Sequence, residues 1–287
     1  LGSFKADYMP EQAKYLSSFH AAESERMLAG NTNHSFNEYL LLLIEQGLIG
    51  IALFLLLLVA VFRSNVSFDT PALLAIVSIA IFSCFSYPFK YAFVWFMTIY
   101  CLASLNQPEV VLRTIRFNKP FLLIILFIFC FFSIKNILFE RTWKRISLVA
   151  EKNNGLLDNE LSVFTKLYDE WNGNPYFLYN YASELKNVEL YKQSVNIFLH
   201  CESYINTYDL QMQLADNYYQ MGCWEEAERR YKLAQFMCPS RFLPLQGLLR
   251  IYVKSDNCIL AERVALEIIN KRIKIPSYTV AIIQEEA

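Results

Sequence analysis

The distribution of charge constrains this chain more than any other feature. Residues 39–134 hold eight charged side chains in 96 positions: Glu45, Arg63, Asp69, Lys90, Glu109, Arg113, Arg116 and Lys119. Residues 1–38 alone hold another eight. Charged residues are 18% of the whole chain and apolar ones 55%. Soluble domains carry about 25% charged residues, so the low average comes from one block. Such a block suits hydrocarbon, and the flanking residues suit water. The composition excludes a disordered chain. A formal net charge of −1 excludes a strongly basic nucleic-acid binder, so no nucleic-acid partner is expected.

Three regions follow from this reading. Residues 1–38 form a polar extracytoplasmic loop, with one or two short helices in Glu11–Met27. Residues 39–139 form a transmembrane region of three or four spans. Residues 140–287 form a soluble helical domain. Within the apolar block, Tyr39–Phe62 is long enough to cross about 30 Å of hydrocarbon. Ala72–Tyr87 and Phe89–Leu105 are shorter, split by Pro88 and Lys90, and suit a tilted or re-entrant pair. Phe121–Ile134 reaches span length when extended to Phe139, with Lys135 snorkelling. Arg113, Arg116 and Lys119 favour their loop inside, with the first loop and the C-terminal domain outside; Lys135, Arg141, Lys144 and Arg145, at the outer end of the last helix, point the other way, so loop charge alone does not decide the topology. The chain opens on Leu1-Gly2-Ser3-Phe4, without Met and without a signal-peptide pattern. A piece of a longer membrane protein is expected.

The C-terminal region repeats. From Tyr208 to Arg241, Leu214, Ala215, Tyr218, Gly222, Trp224, Ala227, Tyr231, Ala234 and Pro239 fall where a 34-residue tetratricopeptide unit places its packed residues and its terminal Pro. Ala227 recurs at Ala261, 34 residues on, and Ser194 precedes Ala227 by 33. Units are expected at about 175–207, 208–241 and 242–275, with a degenerate one near 146–174. The expected fold is all-α: polytopic membrane helices followed by a tetratricopeptide α-solenoid, whose groove can take a protein partner. The seven cysteines show no C-x-x-C and no metal spacing, so no metal and no cofactor are expected. Cys201 and Cys258 fall at or near packed repeat positions.

The stretch with most chemistry runs from Asn31 to Gly50. His34, Asn37 and Glu38 end a polar loop just as an apolar helix begins. Glu45 lies inside that helix, where an ionisable side chain is a functional candidate by default. Gly47 and Gly50, three apart, allow close helix contact in lipid. Each residue also has a structural reading. Asn37 is a good helix N-cap, His34 an ordinary loop histidine, Glu45 a link between helices, and Arg26 a solvated charge beside Glu23 and Glu25.

Phe36-Asn37-Glu38-Tyr39-Leu40, followed by Glu45-x-Gly47-x-x-Gly50, resembles the O-antigen ligase and polymerase superfamily. Gly2-Ser3-Phe4, Tyr8, Gln12 and Tyr15 resemble the end of that family's large outer loop, so the likeness covers about residues 1–105. It implies glycan transfer at the outer face of a bacterial inner membrane. The donor would be a polyprenyl-diphosphate-linked glycan. The acceptor would be a sugar hydroxyl on another glycan or on lipid A–core, or a protein side chain. On this resemblance His34 is the candidate base or acceptor-orienting group. Asn37 and Glu38 would hold sugar hydroxyls or the loop, and Glu45 would face substrate. Arg26 and Lys5 suit the diphosphate by their charge. The family's His directly before the Asn is replaced by Phe36, and His34 stands two residues earlier. His34 has taken over that role, or the catalytic group lies elsewhere, or the chemistry differs. The competing reading is a membrane-anchored tetratricopeptide scaffold with an inactive transferase region.

Overall fold

The computed structural model describes residues 3–18, 20–63, 71–105, 119–152 and 158–287. Among these residues the chain is all-α, with no strand. Helices α1 (Phe4–Ser17) and α2 (Glu23–Leu28) come first. The apolar block holds α3 (Glu38–Arg63), α4 (Pro71–Phe82), α5 (Ala92–Leu105) and the start of α6 (Lys119–Lys152). Then come α7 (Asp158–Trp171), α8 (Pro175–Asn187), α9 (Tyr191–Glu202), α10 (Tyr208–Gln220), α11 (Trp224–Met237), α12 (Leu243–Lys254), α13 (Cys258–Asn270) and α14 (Tyr278–Glu286). They group into two compact units. One is built on His34–Ile137, the other on Lys5–Asn33 with Leu138–Ala287.

In the first unit, α3 begins one residue before its expected start. Gly47 interrupts it with φ 64° and ψ −158°, a backbone state open to glycine alone. A Cβ on Gly50 would lie 2.3 Å from the Cβ of Gln46 in the same helix. The two glycines therefore serve a bend within α3, where the sequence suggested close contact with a neighbouring helix. Helices α4 and α5 have 12 and 14 residues. At 1.5 Å per residue they reach only about 18–21 Å, short of a hydrocarbon core of about 30 Å. They pack on each other around a 3₁₀ turn at Pro88–Lys90. The described residues contain two helical stretches long and apolar enough to cross a membrane, Glu38–Val59 and Leu123–Lys152. Glu109, Arg113 and Arg116, whose charges bear on topology, lie outside the described residues.

The second unit is built from helix hairpins. Three of them, α8–α9, α10–α11 and α12–α13, close the same way. The middle turn residue has positive φ: Glu189 at 62°, Gly222 at 74° and Asp256 at 54°. The next N–H reaches five residues back, from Leu190 to Leu185, Cys223 to Tyr218 and Asn257 to Tyr252, each at 2.9 Å. This bond and the left-handed residue are the marks of a Schellman helix end. Asn174 caps α8 through bonds from the N–H groups of Tyr176 and Phe177, and Thr207 caps α10 through that of Leu210. Leu214, Ala215, Ala227, Tyr231 and Ala234, which the 34-residue spacing assigns to packed positions, are fully buried. The start of the unit's core comes from Phe139, Ile146 and Ala150 of α6, packed with Phe164 and Phe177.

Residues 5–33 belong to this same unit. Met9 and Ala13 of α1 join Tyr208, Ala234, Met237 and Cys238 in one apolar cluster. Gln12 Nε2 donates to the carbonyls of Met237 at 2.7 Å and Gly30 at 3.0 Å. The Asn206 N–H donates to the Lys5 carbonyl at 2.9 Å. Asn31 Nδ2 donates to Asp209 at 2.8 Å. Of this unit's cysteines, Cys201 and Cys238 are buried. Cys258, expected at a packed position, is exposed because it opens α13.

Candidate functional site

The end of the polar loop is riveted to the α4–α5 hairpin. Asn37 Oδ1 accepts from the N–H groups of Tyr39 (3.0 Å) and Leu40 (2.9 Å), which caps α3. Its Nδ2 donates to the Cys84 carbonyl at 3.1 Å. Glu38 bridges in the same direction: its N–H donates to the Ser83 carbonyl at 3.0 Å. Its Oε1 accepts from the Phe89 N–H at 3.1 Å. The Tyr39 hydroxyl donates to the Ala80 carbonyl at 2.8 Å. Each bond satisfies a backbone group that a helix end or a tight turn would otherwise leave open.

These bonds bring His34 against the hairpin's apex. His34 Nε2 lies 2.6 Å from Lys90 Nζ. Its ring is tilted against Tyr87, with centroids 5.1 Å apart, and Phe36 meets the same tyrosine edge-on at 5.5 Å. Lys90 Nζ also lies 5.6 Å from the Tyr87 ring centroid. A lysine and a histidine in hydrogen-bond contact share one proton between the facing atoms. An ammonium can only donate, so with Lys90 as donor Nε2 is the acceptor and the imidazole hydrogen sits on Nδ1. The pair is exposed, so it is open to a ligand.

The structure therefore unites His34, Asn37 and Glu38 with two residues that sequence reasoning missed, Tyr87 and Lys90. A signal was present: Lys90 is the one charge in residues 72–105. Glu45 lies two turns beyond Glu38 on α3, exposed. Lys5 and Arg26 belong to the other unit. There Lys5 Nζ donates to the Tyr176 hydroxyl at 3.2 Å. Arg26 Nη2 donates to the Ser18 carbonyl at 3.0 Å. Arg26 also lines a cavity of about 420 Å³ with Glu23, Lys271 and Arg272. Among the described residues no cluster of His, Cys, Asp or Glu is arranged to hold a metal ion. No protein-family model matches the chain, and no curated protein matches it.

Proposed function

We propose that the chain is part of a bacterial membrane glycan transferase of the O-antigen ligase or polymerase type, acting at the outer face of the inner membrane. The observation that carries this reading is the His34–Lys90 pair, held at the mouth of an apolar helix by Asn37 and Glu38. Transfer from a polyprenyl diphosphate needs a base for the acceptor hydroxyl and a cation for the leaving diphosphate. Lys90 is that cation, because its ammonium lies in hydrogen-bond contact with His34. In the transfer, the bond from the anomeric carbon to the diphosphate oxygen breaks as the bond to the acceptor oxygen forms. The ammonium moves onto the departing diphosphate. Imidazole Nε2, released from Lys90, takes the hydroxyl proton. Attack opposite the leaving group inverts the anomeric carbon. Asn37 and Glu38 are positioning residues: Asn37 Oδ1 caps α3, while Asn37 Nδ2 and Glu38 Oε1 hold the hairpin.

The surrounding architecture supports the membrane part of this reading. The apolar side chains of α3 and α6 are largely exposed, including Leu48, Ile49, Leu56, Phe127 and Phe129. Apolar surface on that scale calls for lipid. Residues 5–33 and 138–287 form one compact unit, which fits an outer-face placement for both the first loop and the C-terminal domain. The three matching turns support a tetratricopeptide solenoid.

A second reading, an inactive transferase region carrying a scaffold, draws on one observation. Phe36, at the family's His position, offers no proton-transfer group and packs on Tyr87. In the full-length protein, His34→Ala and Lys90→Met, made separately, should each abolish the surface glycan seen on a gel. Wild-type glycan from both variants, with loss only on deletion of the repeats, would establish the scaffold instead.

A further inference from the structure

The cavity of the second unit carries charges that the transfer site does not use. Arg26 comes from α2, and Lys271 and Arg272 follow the end of α13. Among the described residues, none of the three forms an ion pair. Arg26 Nε is buried without a hydrogen-bond partner. Burial holds the Lys271 ammonium below the ordinary lysine pKa, although Glu267 and Glu23 pull it the other way. A buried donor without a partner, Arg26 Nε, set beside the half-buried Lys271 and the exposed Arg272, is a place where an anion would be stabilised. Two acids, Glu23 and Glu267, also line the cavity, so the cations outnumber them. Glu267 is tied to Gln235, which donates to it at 2.9 Å. The half-buried Phe236 supplies an apolar wall.

A volume of about 420 Å³ exceeds what a bare inorganic anion needs and is within the range of small-molecule pockets. Cations, acids, an amide and an aromatic face in one cavity match a ligand with an oxyanion, several hydroxyls and an apolar ring face. We propose that this cavity binds an anionic sugar, a hexose unit bearing a phosphate or a carboxylate. Arg26, Lys271 and Arg272 take the oxyanion, Glu23 and Gln235 take hydroxyls, and Phe236 lies against the ring. The residues that enclose the ligand come from both the N-terminal segment and the repeat helices. The site therefore exists only while that segment is docked, and it does not depend on the transfer reading.

Calorimetric titration of the whole chain in detergent tests this with four probes: glucose 6-phosphate, glucuronate, glucose and inorganic phosphate. Binding of either sugar acid at least about ten-fold tighter than both glucose and phosphate is expected, since charge-assisted bonds are the strong ones. The tighter of the two acids identifies the oxyanion. Arg26→Gln and Lys271→Gln should each weaken it about ten-fold or more. Arg272→Gln, on an exposed side chain, should do the same in part without disturbing the fold. Phe236→Ala should weaken the sugar acid. His34→Ala should leave this binding unchanged even where transfer is lost, so the two proposals fail separately. Equal binding of glucose, equal binding of phosphate, or wild-type affinity in all three folded cation variants would overturn the proposal.

Discussion

Gly247→Ala sets two physical rules against each other. Gly247 lies inside α12, where alanine is favoured over glycine by about 0.8–1 kcal/mol of helix propensity. On that ground alone the variant should be more stable. The packing says the opposite. An added Cβ would lie 2.5 Å from both Cε1 and Cζ of Tyr231 and 2.8 Å from its Cδ1. Carbon atoms rest about 3.5–4.0 Å apart, so the ring must move by about 1 Å. It has little room to do so. Tyr231 is fully buried in a cluster with Ala215, Ala227 and Leu245, and its hydroxyl donates to Asp216 at 2.5 Å. Overpacking of this kind costs about 1–3 kcal/mol, and weakening a bond to a carboxylate adds about 1 kcal/mol. The expected net effect is a loss of about 2 kcal/mol, read from urea unfolding of the detergent-solubilised chain by circular dichroism. Tyr231→Leu combined with Gly247→Ala should lose less than the sum of the single changes, because removing the ring removes the clash. A Gly247→Ala chain more stable than wild type, or strict additivity in the double variant, would refute the argument.

Other consequences of the fold are measurable in the same preparation. Glu189→Gly and Asp256→Gly should each stabilise by up to about 1 kcal/mol, since both side chains sit at positive φ in turns where Gly222 stands in the matching place. Burial pushes the Cys201 thiol to about 12 and the Cys238 thiol to about 11. At pH 8 iodoacetamide should therefore modify Cys223 and Cys258 and spare those two, with labelling by mass spectrometry as the readout and the protection vanishing on unfolding. The Lys271 ammonium is harder to keep in the folded chain than in the unfolded one, so the unfolded chain binds more protons just below the ordinary lysine pKa. Stability from this residue rises with pH through that window. Lys271→Met should flatten the slope and raise the thermal midpoint at neutral pH, read by circular dichroism melts across pH.

Local pattern made much of this fold legible. Charge density separated the apolar block, and α3 begins and ends within one residue of its expected limits because a cap, an apolar run and a charge mark them. Asn37 as the cap of α3 was readable for the same reason. What stayed hidden depends on residues far apart in the chain. His34 and Lys90 meet across 56 positions, and Gln12 and Met237 across 225, and no periodicity encodes such pairs. The seating of α1 on the repeat helices is of this kind, and so is the assignment of Arg26 to a cavity rather than to the loop's chemistry. The positive φ of Gly47 stayed hidden because its spacing from Gly50 is that of a helix contact, while its backbone takes a state no other residue adopts easily.

The most direct measurement is transfer in vitro by the purified full-length protein, from a polyprenyl-diphosphate-linked glycan to a sugar acceptor. The product's anomeric configuration is read by nuclear magnetic resonance. An inverted linkage is expected, with a rate reduced at least about a hundred-fold in His34→Ala, the range that proton-transfer groups contribute. A retained anomeric configuration, or a His34→Ala rate equal to that of the wild type, would contradict the proposed transfer.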